Sequence, residues 1–379
     1  MKNWNLRECN IDDLKKVTDF LNKNFSIEDK DFFWKQENIK LKIFNSPKGV
    51  GSFIYGITED DKIIGTASLT IKRLVYNNKE IKIAEIGDTF TVQSKTYIDK
   101  NGYEKFKCLN NKNLNNIHDE KKLLFINKSI FGRLVEELKI KAKNTDIDLI
   151  YGTANSNSSS SYLNRLEFIR ANKNEVNEYF FITTKLIEKR FEKLKKINFF
   201  LNSSLNVIYN LYFKFLINQN KFNIKCVNEI QYERDIIDNF WNEYQFKNDT
   251  IIRDYNFIKW RYFSDKNYKM YFLYKKGKLI SWIILKEKNL DKFKKITICD
   301  FLYSCSKKEF LFFFYKVLKK NDYQNCIINF WSNTNQDIFK SIFFYKNKKI
   351  NLIYYFLNKH FKKNFNSIKN FTIGCSDNI

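Results

Sequence analysis

"IYGTANSNSSSSYLNRLEF" occupies Ile150–Phe168. Its centre, Asn155 to Ser161, has the composition of a flexible linker. Its flanks do not. Ile147-Asp148-Leu149-Ile150-Tyr151 is an apolar run of strand length, and Tyr162, Leu163, Leu166 and Phe168 form a spaced apolar pattern. The stretch is either a solvated serine loop or a turn from a strand into a helix through Tyr162–Leu166. Asn tolerates a left-handed turn, Asn155 and Asn157 offer amide donors and acceptors, and Ser158 or Ser159 is placed to cap the helix.

Outward from this stretch the chain repeats one order of elements. "DFFWKQ" at 31–36 and "NFIKWRY" at 256–262 each precede two alternating strands joined by a polar turn. These hairpins are "SFIYGITEDDKIIGTASLTI" at 52–71 and "KMYFLYKKGKLISWIIL" at 269–285. The first half continues with a strand at 81–92, a helix at 129–143, a strand at 148–153, the short helix, and a strand at 177–186. In that first helix Ile130, Leu134, Leu138 and either Phe131 or Val135 share a face. The second half gives strands at 296–303, 325–332 and 350–357, with helices at 306–319 and 335–345. Two α/β mixed-sheet domains are expected. Residues 187–228 read as a helical connector, or as a membrane-interface helix with lysines at its edges. The basic tail, 359–379, reads as loosely ordered.

Composition narrows the function classes. The chain has 379 residues, 44% hydrophobic and 17% aromatic, so disorder is excluded. Mean hydropathy is −0.49, and no apolar run reaches the length of a membrane span. The start, Met1-Lys2-Asn3-Trp4-Asn5, lacks a signal-peptide pattern, and a cytoplasmic protein is expected. The formal charge is +25, yet the lysines are spread rather than blocked. With abundant Asn, Ile, Phe and Tyr, that profile fits the codon bias of an AT-rich genome, although a phosphate-rich ligand would still gain from the field. Seven cysteines without a CxxC predict reduced, packed thiols. With only two histidines, His118 and His360, no metal is expected.

Five segments in order carry a resemblance. They are Trp34-Lys35, Asn45-Ser46-Pro47-Lys48-Gly49, Gly87-Asp88-Thr89-Phe90-Thr91, Ser129-Ile130-Phe131, and Tyr151-Gly152-Thr153-Ala154-Asn155-Ser156-Asn157-Ser158. Residues 1–186 resemble the GNAT acyltransferase superfamily, and the second half resembles a weaker copy. More closely, the chain is similar to tandem GNAT proteins associated with bacterial surface-polysaccharide synthesis. The resemblance implies an N-terminal GNAT-like domain over 1–186, a degenerate one over 229–358, and the 187–228 connector between them. It implies acetyl-CoA or another acyl-CoA as co-substrate and a nucleotide-linked amino sugar as acceptor.

In such a site two central strands splay, a backbone N–H stabilises the oxyanion, and the cofactor pyrophosphate meets a helix N-terminus. Asp88 matches the family motif and is first choice for acceptor binding or general base, with Glu85 second. Strict alternation puts Asp88 on one face with Ile86 and Phe90, and Glu85 on the other with Thr89. Phe90, Asn127, Lys128, Ser129, Asn155, Asn157 and Ser158 fall where the superfamily binds cofactor. The superfamily's pyrophosphate loop would lie on Leu124–Ser129, where both of its glycines are missing, and about thirty extra residues, 94–123, precede it. Tyr162 is the candidate acid for the thiolate, although Leu163 takes the family tyrosine's register, a rotation of about 100° on a helix. Two rivals remain: a Fem-like aminoacyl-tRNA-dependent ligase, for which the positive charge suits tRNA, and a non-catalytic scaffold for a partner or membrane surface.

Overall fold

The computed structural model describes residues 2–24, 34–92, 97–98, 129–171, 175–190, 204–212, 221–227, 229–245, 249–263, 267–290, 293–333, 343–365 and 367–376. The chain divides into two compact units. The first comprises Met1–Leu74, Lys79–Asn172 and Asn351–Asn366; the second comprises Val75–Asn78, Lys173–Ile350 and Ser367–Ile379.

The first unit runs β1 (Lys2–Glu8), α1 (Leu14–Asn24), α2 (Gln36–Ile39), a π-helical turn (Lys40–Phe44), β2 (Ser52–Thr58), β3 (Ile63–Tyr76), β4 (Lys79–Thr91), β5 (Tyr97–Ile98), α3 (Ile130–Lys143), β6 (Leu149–Ala154), α4 (Ser156–Arg165) and β7 (Ile169–Arg170). The sheet order is β5-β1-β2-β3-β4-β6, closed by residues 351–356. Ser129 starts α3: its Oγ accepts the Gly132 N–H at 3.2 Å. Ile130, Leu134, Val135, Leu138 and Ala142 then turn inward onto Ala67, Leu69, Ile71, Ala84, Ile86 and Ile150. Full burial of each larger side chain contributes about 1.5–3 kcal/mol. On the opposite face Leu14, Val17, Leu21, Ile39 and Ile43 cover Phe53, Tyr55, Ile57 and Ile63.

The second unit runs β8 (Val176–Phe181), α5 (Thr184–Arg190), α6 (204–212), β9 (Phe222–Val227), α7 (Arg234–Gln245), β10 (Thr250–Ile251), α8 (Tyr255–Tyr262), β11 (Tyr268–Lys275), β12 (Lys278–Leu290), β13 (Phe293–Tyr303), α9 (Lys307–Lys320), β14 (Cys326–Ser332) and the first part of β15 (Phe344–Phe356). Its sheet order is β15-β8-β14-β13-β12-β11-β9. A capping box between Ser306 and Glu309 opens α9, whose Phe310, Phe313, Phe314, Val317 and Leu318 join an aromatic core with Phe301 and Phe330.

Several expectations are corrected. The closing strand of the first half, expected at 177–186, is Val176–Phe181 and lies in the second unit, antiparallel to β14 from Ile328↔Phe181 to Ser332↔Asn177. Tyr179 stacks on Phe330 with centroids 5.4 Å apart, and Glu178 accepts from Asn329 and Asn347. In return Asn351–Phe356 of β15 pairs with β6 in the first unit, where Leu352, Ile353 and Tyr354 are buried. Periodicity identifies a strand but not its neighbour, so the exchange is silent in sequence. Residues 334–342, inside the helix expected at 335–345, lie outside the described residues, and Phe344 already begins β15. The connector is not helical throughout. Phe222–Val227 is a strand, with Phe222, Ile224 and Cys226 packed against the core and Asn223 and Lys225 exposed. The tail is not loose, since Ile368, Phe371, Thr372, Ile373, Cys375 and Ser376 are buried.

Candidate active site

The site begins where two parallel strands part. β4 and β6 pair at Ile83↔Leu149, Ala84↔Ile150 and Glu85↔Tyr151. Beyond those pairs β4 runs on to Thr91, while β6 runs on to Ala154 against residues 351–356. Gly152 lies just past the last pair. A Cβ there would sit 2.7 Å from Ile86 Cγ2 and 3.1 Å from the Ile86 carbonyl, so glycine is what allows β6 its closeness to β4.

At the same level β4 breaks its alternation. Asp88 has φ 47°, a left-handed conformation that Asp tolerates better than most residues. Its effect is a one-residue shift of the strand's faces. Ile86 packs with the α3 core, whereas Phe90 packs against Phe20 on the α1 side. Strict alternation had put them together. Asp88 turns to the side of Glu85 and Phe90, and Thr89 turns to the side of Ile86, where it meets Tyr162. The correction follows from the left-handed residue, which a period-2 reading does not register.

Asp88 enters a buried polar column. Its Oδ2 lies 2.6 Å from Lys42 Nζ and accepts the Ser68 hydroxyl at 2.7 Å, while its carbonyl accepts the Thr66 hydroxyl at 2.8 Å. The side chains of Asp88 and Lys42 are 3% and 12% exposed. Thr66, Ser68, Thr70 and Lys72 of β3 are all fully buried. Sequence reasoning missed Lys42, Thr66 and Ser68. The signal was there in "TASLTIK", where polar residues alternate with Ala67, Leu69 and Ile71. Such a pattern ordinarily reads as a solvated face, and only the fold shows that it is inside.

Glu85 belongs to the same column but is engaged elsewhere. Its Oε2 pairs with Lys72 Nζ and accepts the Tyr151 hydroxyl at 3.4 Å. Both side chains of the ion pair are fully enclosed. The cluster ties β3, β4 and β6 together at the last paired position before the strands part.

On the other face stands Tyr162. Its hydroxyl is 3.3 Å from Thr89 Oγ1, and its ring meets Phe131 and Phe168 edge-on. Burial pushes its pKa up to about 12, partly opposed by the Thr89 hydrogen bond. The phenol is therefore neutral, and a proton donor, throughout the physiological range. The one-residue offset from the family register does not keep it away from β4.

The serine-rich stretch is helix, not linker. α4 starts at Ser156, six residues before the expected start. The cap is Asn155 rather than Ser158 or Ser159: Asn155 Oδ1 accepts the Ser158 N–H at 2.8 Å and its hydroxyl at 2.9 Å. Asn155 and Asn157 are exposed, and Ser158 is half-buried. Ser129 sits at the α3 N-terminus. Asn127 and Lys128 lie outside the described residues, as does the insertion at 94–123 apart from the short strand Tyr97–Ile98. The structure thus puts Asp88 and Phe90 on one side of β4, sets Tyr162 of α4 against Thr89 on the other side, and places Asn155 at the end of β6.

No protein-family model and no curated protein matches the sequence. Solved structures do. A probable N-acyltransferase from Enterococcus faecalis aligns with TM-score 0.57 at 10% identity, over 94% of this chain and 73% of that one. The fold is the GNAT fold. A GCN5-related N-acetyltransferase from Anabaena variabilis aligns with the same score, identity and coverage. N-myristoyltransferase from Saccharomyces cerevisiae, solved with bound myristoyl-CoA, aligns with TM-score 0.57 at 13% identity, over 94% and 83%. At such identities the likeness is one of architecture, a mixed sheet flanked by helices. Among the described residues no helix is long and apolar enough to cross a membrane.

Proposed function

We propose that the first unit is an N-acyltransferase that moves an acyl group from a CoA thioester to an amine. The observation that carries this reading is the parting of β4 from β6 beside the left-handed Asp88, with a neutral tyrosine facing the same stretch of β4. The thioester enters between the strands. Lys42 and Ser68 hold Asp88 Oδ2, and the acceptor ammonium meets Oδ1. Asp88 takes a proton from that ammonium, and the amine nitrogen attacks the thioester carbonyl carbon. A backbone N–H of β4 near Asp88 stabilises the oxyanion. The C–S bond breaks, Tyr162 gives its phenolic proton to the leaving thiolate, the second proton shed by the attacking nitrogen returns to the tyrosinate, and Asp88 releases the first to solvent. Ser129 and the α3 N-terminus face the pyrophosphate. Glu85 stays outside this scheme because it sits at the last paired position, before the strands part, with Oε2 taken by both Lys72 and Tyr151.

Acetyl-CoA is the simplest donor, and a nucleotide-linked amino sugar is the proposed acceptor. Such a molecule carries the required amine and a diphosphate suited to a chain of net charge +25. The test is a melting screen with acyl-CoAs and amino-sugar nucleotides, followed by mass-spectrometric detection of the N-acyl product. Donor at 100 times its dissociation constant should stabilise the fold by about 2.7 kcal/mol. No shift with acetyl-CoA, longer acyl-CoAs or free CoA at millimolar levels would sink the proposal.

A further inference from the structure

The second unit repeats the parting of strands, and its opening is already filled. β13 and β14 pair in parallel from Lys294↔Cys326 to Ile298↔Phe330. Just beyond, β13 carries a register shift against β12: Ile284 faces Asp300 and Leu285 faces Ile298, leaving Cys299 as the extra residue. Cys299-Asp300 thus stands in β13 where Gly87-Asp88 stands in β4. Ser332-Asn333-Thr334-Asn335 follows the second strand as Ala154-Asn155-Ser156-Asn157 follows β6.

We propose that residues 367–376 are a built-in occupant of this second cleft, holding it closed to any acceptor or donor. The contacts fall on both lips. From β14, Asn333 donates from Nδ2 to the Ile368 carbonyl at 2.6 Å and accepts the Phe371 N–H at 2.6 Å. From β13, Asp300 Oδ1 accepts the Thr372 hydroxyl at 2.7 Å. The buried Arg253 guanidinium grips Asp300 at 2.9 Å and also donates to the Asn370 carbonyl at 2.7 Å. Arg261 donates to the Ser376 carbonyl at 2.5 Å. Gly374 lies so close that a Cβ there would stand 1.8 Å from the Tyr262 hydroxyl and 3.1 Å from Asp300 Cβ.

In the first unit the matching carboxylate, Asp88, is held by Lys42 and Ser68, both from the body of the fold. In the second, the matching carboxylate is satisfied by Arg253, Tyr262 and the segment's own threonine. Both oxygens of Asp300 are engaged, so neither is turned to an incoming ammonium. The second unit therefore offers no open acyl-transfer centre of this design and serves as a clamp for residues 367–376. This inference stands on the second unit alone and survives if the first unit proves to have another activity.

Hydrogen–deuterium exchange of the full chain tests it directly. Amides of 368–376 should exchange as slowly as those of β13 and β14, at least about a hundredfold slower than a free peptide of the same sequence. Gly374→Ala should expose 368–376 and the amides around Asp300 while leaving α3 and β6 protected. A synthetic peptide of residues 367–376 added to a chain ending at 366 should restore protection around Asp300. Free-peptide exchange of 368–376 in the full chain overturns the proposal. So does a folded truncated chain whose Asp300 region is unchanged by the loss of the segment.

Discussion

Lys42 Nζ and Asp88 Oδ2 are 2.6 Å apart, on side chains separated by 46 positions in sequence. The pair fixes a carboxylate at the one left-handed residue of β4, beside the opening between strands. Asp88→Asn keeps the size, tolerates the positive φ, and removes the charge. Turnover should fall by about 10²-fold or more, with the denaturant midpoint nearly unchanged. Normal turnover per folded molecule would remove Asp88 from the mechanism.

Lys72 and Glu85 answer a different question. Lys72→Met leaves a carboxylate buried without its cation and should cost about 3–5 kcal/mol. The double variant Lys72→Met/Glu85→Met should recover most of that loss, because an apolar pair of similar volume needs no compensation. Turnover per folded molecule in the double variant should match the parent. Loss of turnover in a stable double variant would return Glu85 to the chemistry.

Asn155 and Asn157 should separate under mutation. Asn155→Ala removes the cap of α4 and should cost about 1 kcal/mol. Asn157→Ala, exposed and without a capping role, should leave the melt within about 0.5 kcal/mol of the parent. Under the acyltransfer reading it should raise KM for the donor. An unchanged melt for Asn155→Ala would contradict the capping geometry.

Buried phenols make the protein sensitive to base. Burial pushes Tyr162 up to about 12 in the first unit and Tyr303 up to about 12 in the second. Below pH 10 the phenols are neutral in both folded and unfolded chains, and stability is intact. Between pH 10 and 12 the unfolded chain ionises first, and each such tyrosine costs about 1.4 kcal/mol per pH unit. Unfolding midpoints should fall across that window, with tyrosinate absorbance rising as the protein unfolds rather than before. Full tyrosinate absorbance at pH 10.5 in a folded protein would show the phenols to be solvated.

Much of the fold was legible because strands and helices write their periods into the chain. The helix at Ile130–Lys143 and the hairpin strands of both halves follow the apolar spacing closely. The site was legible only as residue types. Asp88 was found by its motif, but its direction depends on a backbone φ that no alternation rule contains. Ser68 and Lys72 were hidden by the same rule, since a polar alternation ordinarily marks solvent. "SNSSSSYLNR" looked like loop because serine is an indifferent helix former, yet Asn155 supplies the cap that starts it. In the tail, Ile368, Phe371 and Ile373 were too few and too irregular to show a period, although each is buried.

The crossing of β15 from one sheet to the other between Ile350 and Asn351 has a genetic consequence. A fragment ending at Leu186 would carry Val176–Phe181 with nothing to pair it and would leave the outer edge of β6 bare, an invitation to aggregation. The complementary fragment would lack its own inner strand and carry a spare one. The two units are not separable modules. Recombination cannot shuffle either of them separately, and an expression strategy that trims the chain to one half removes a strand from the half it keeps.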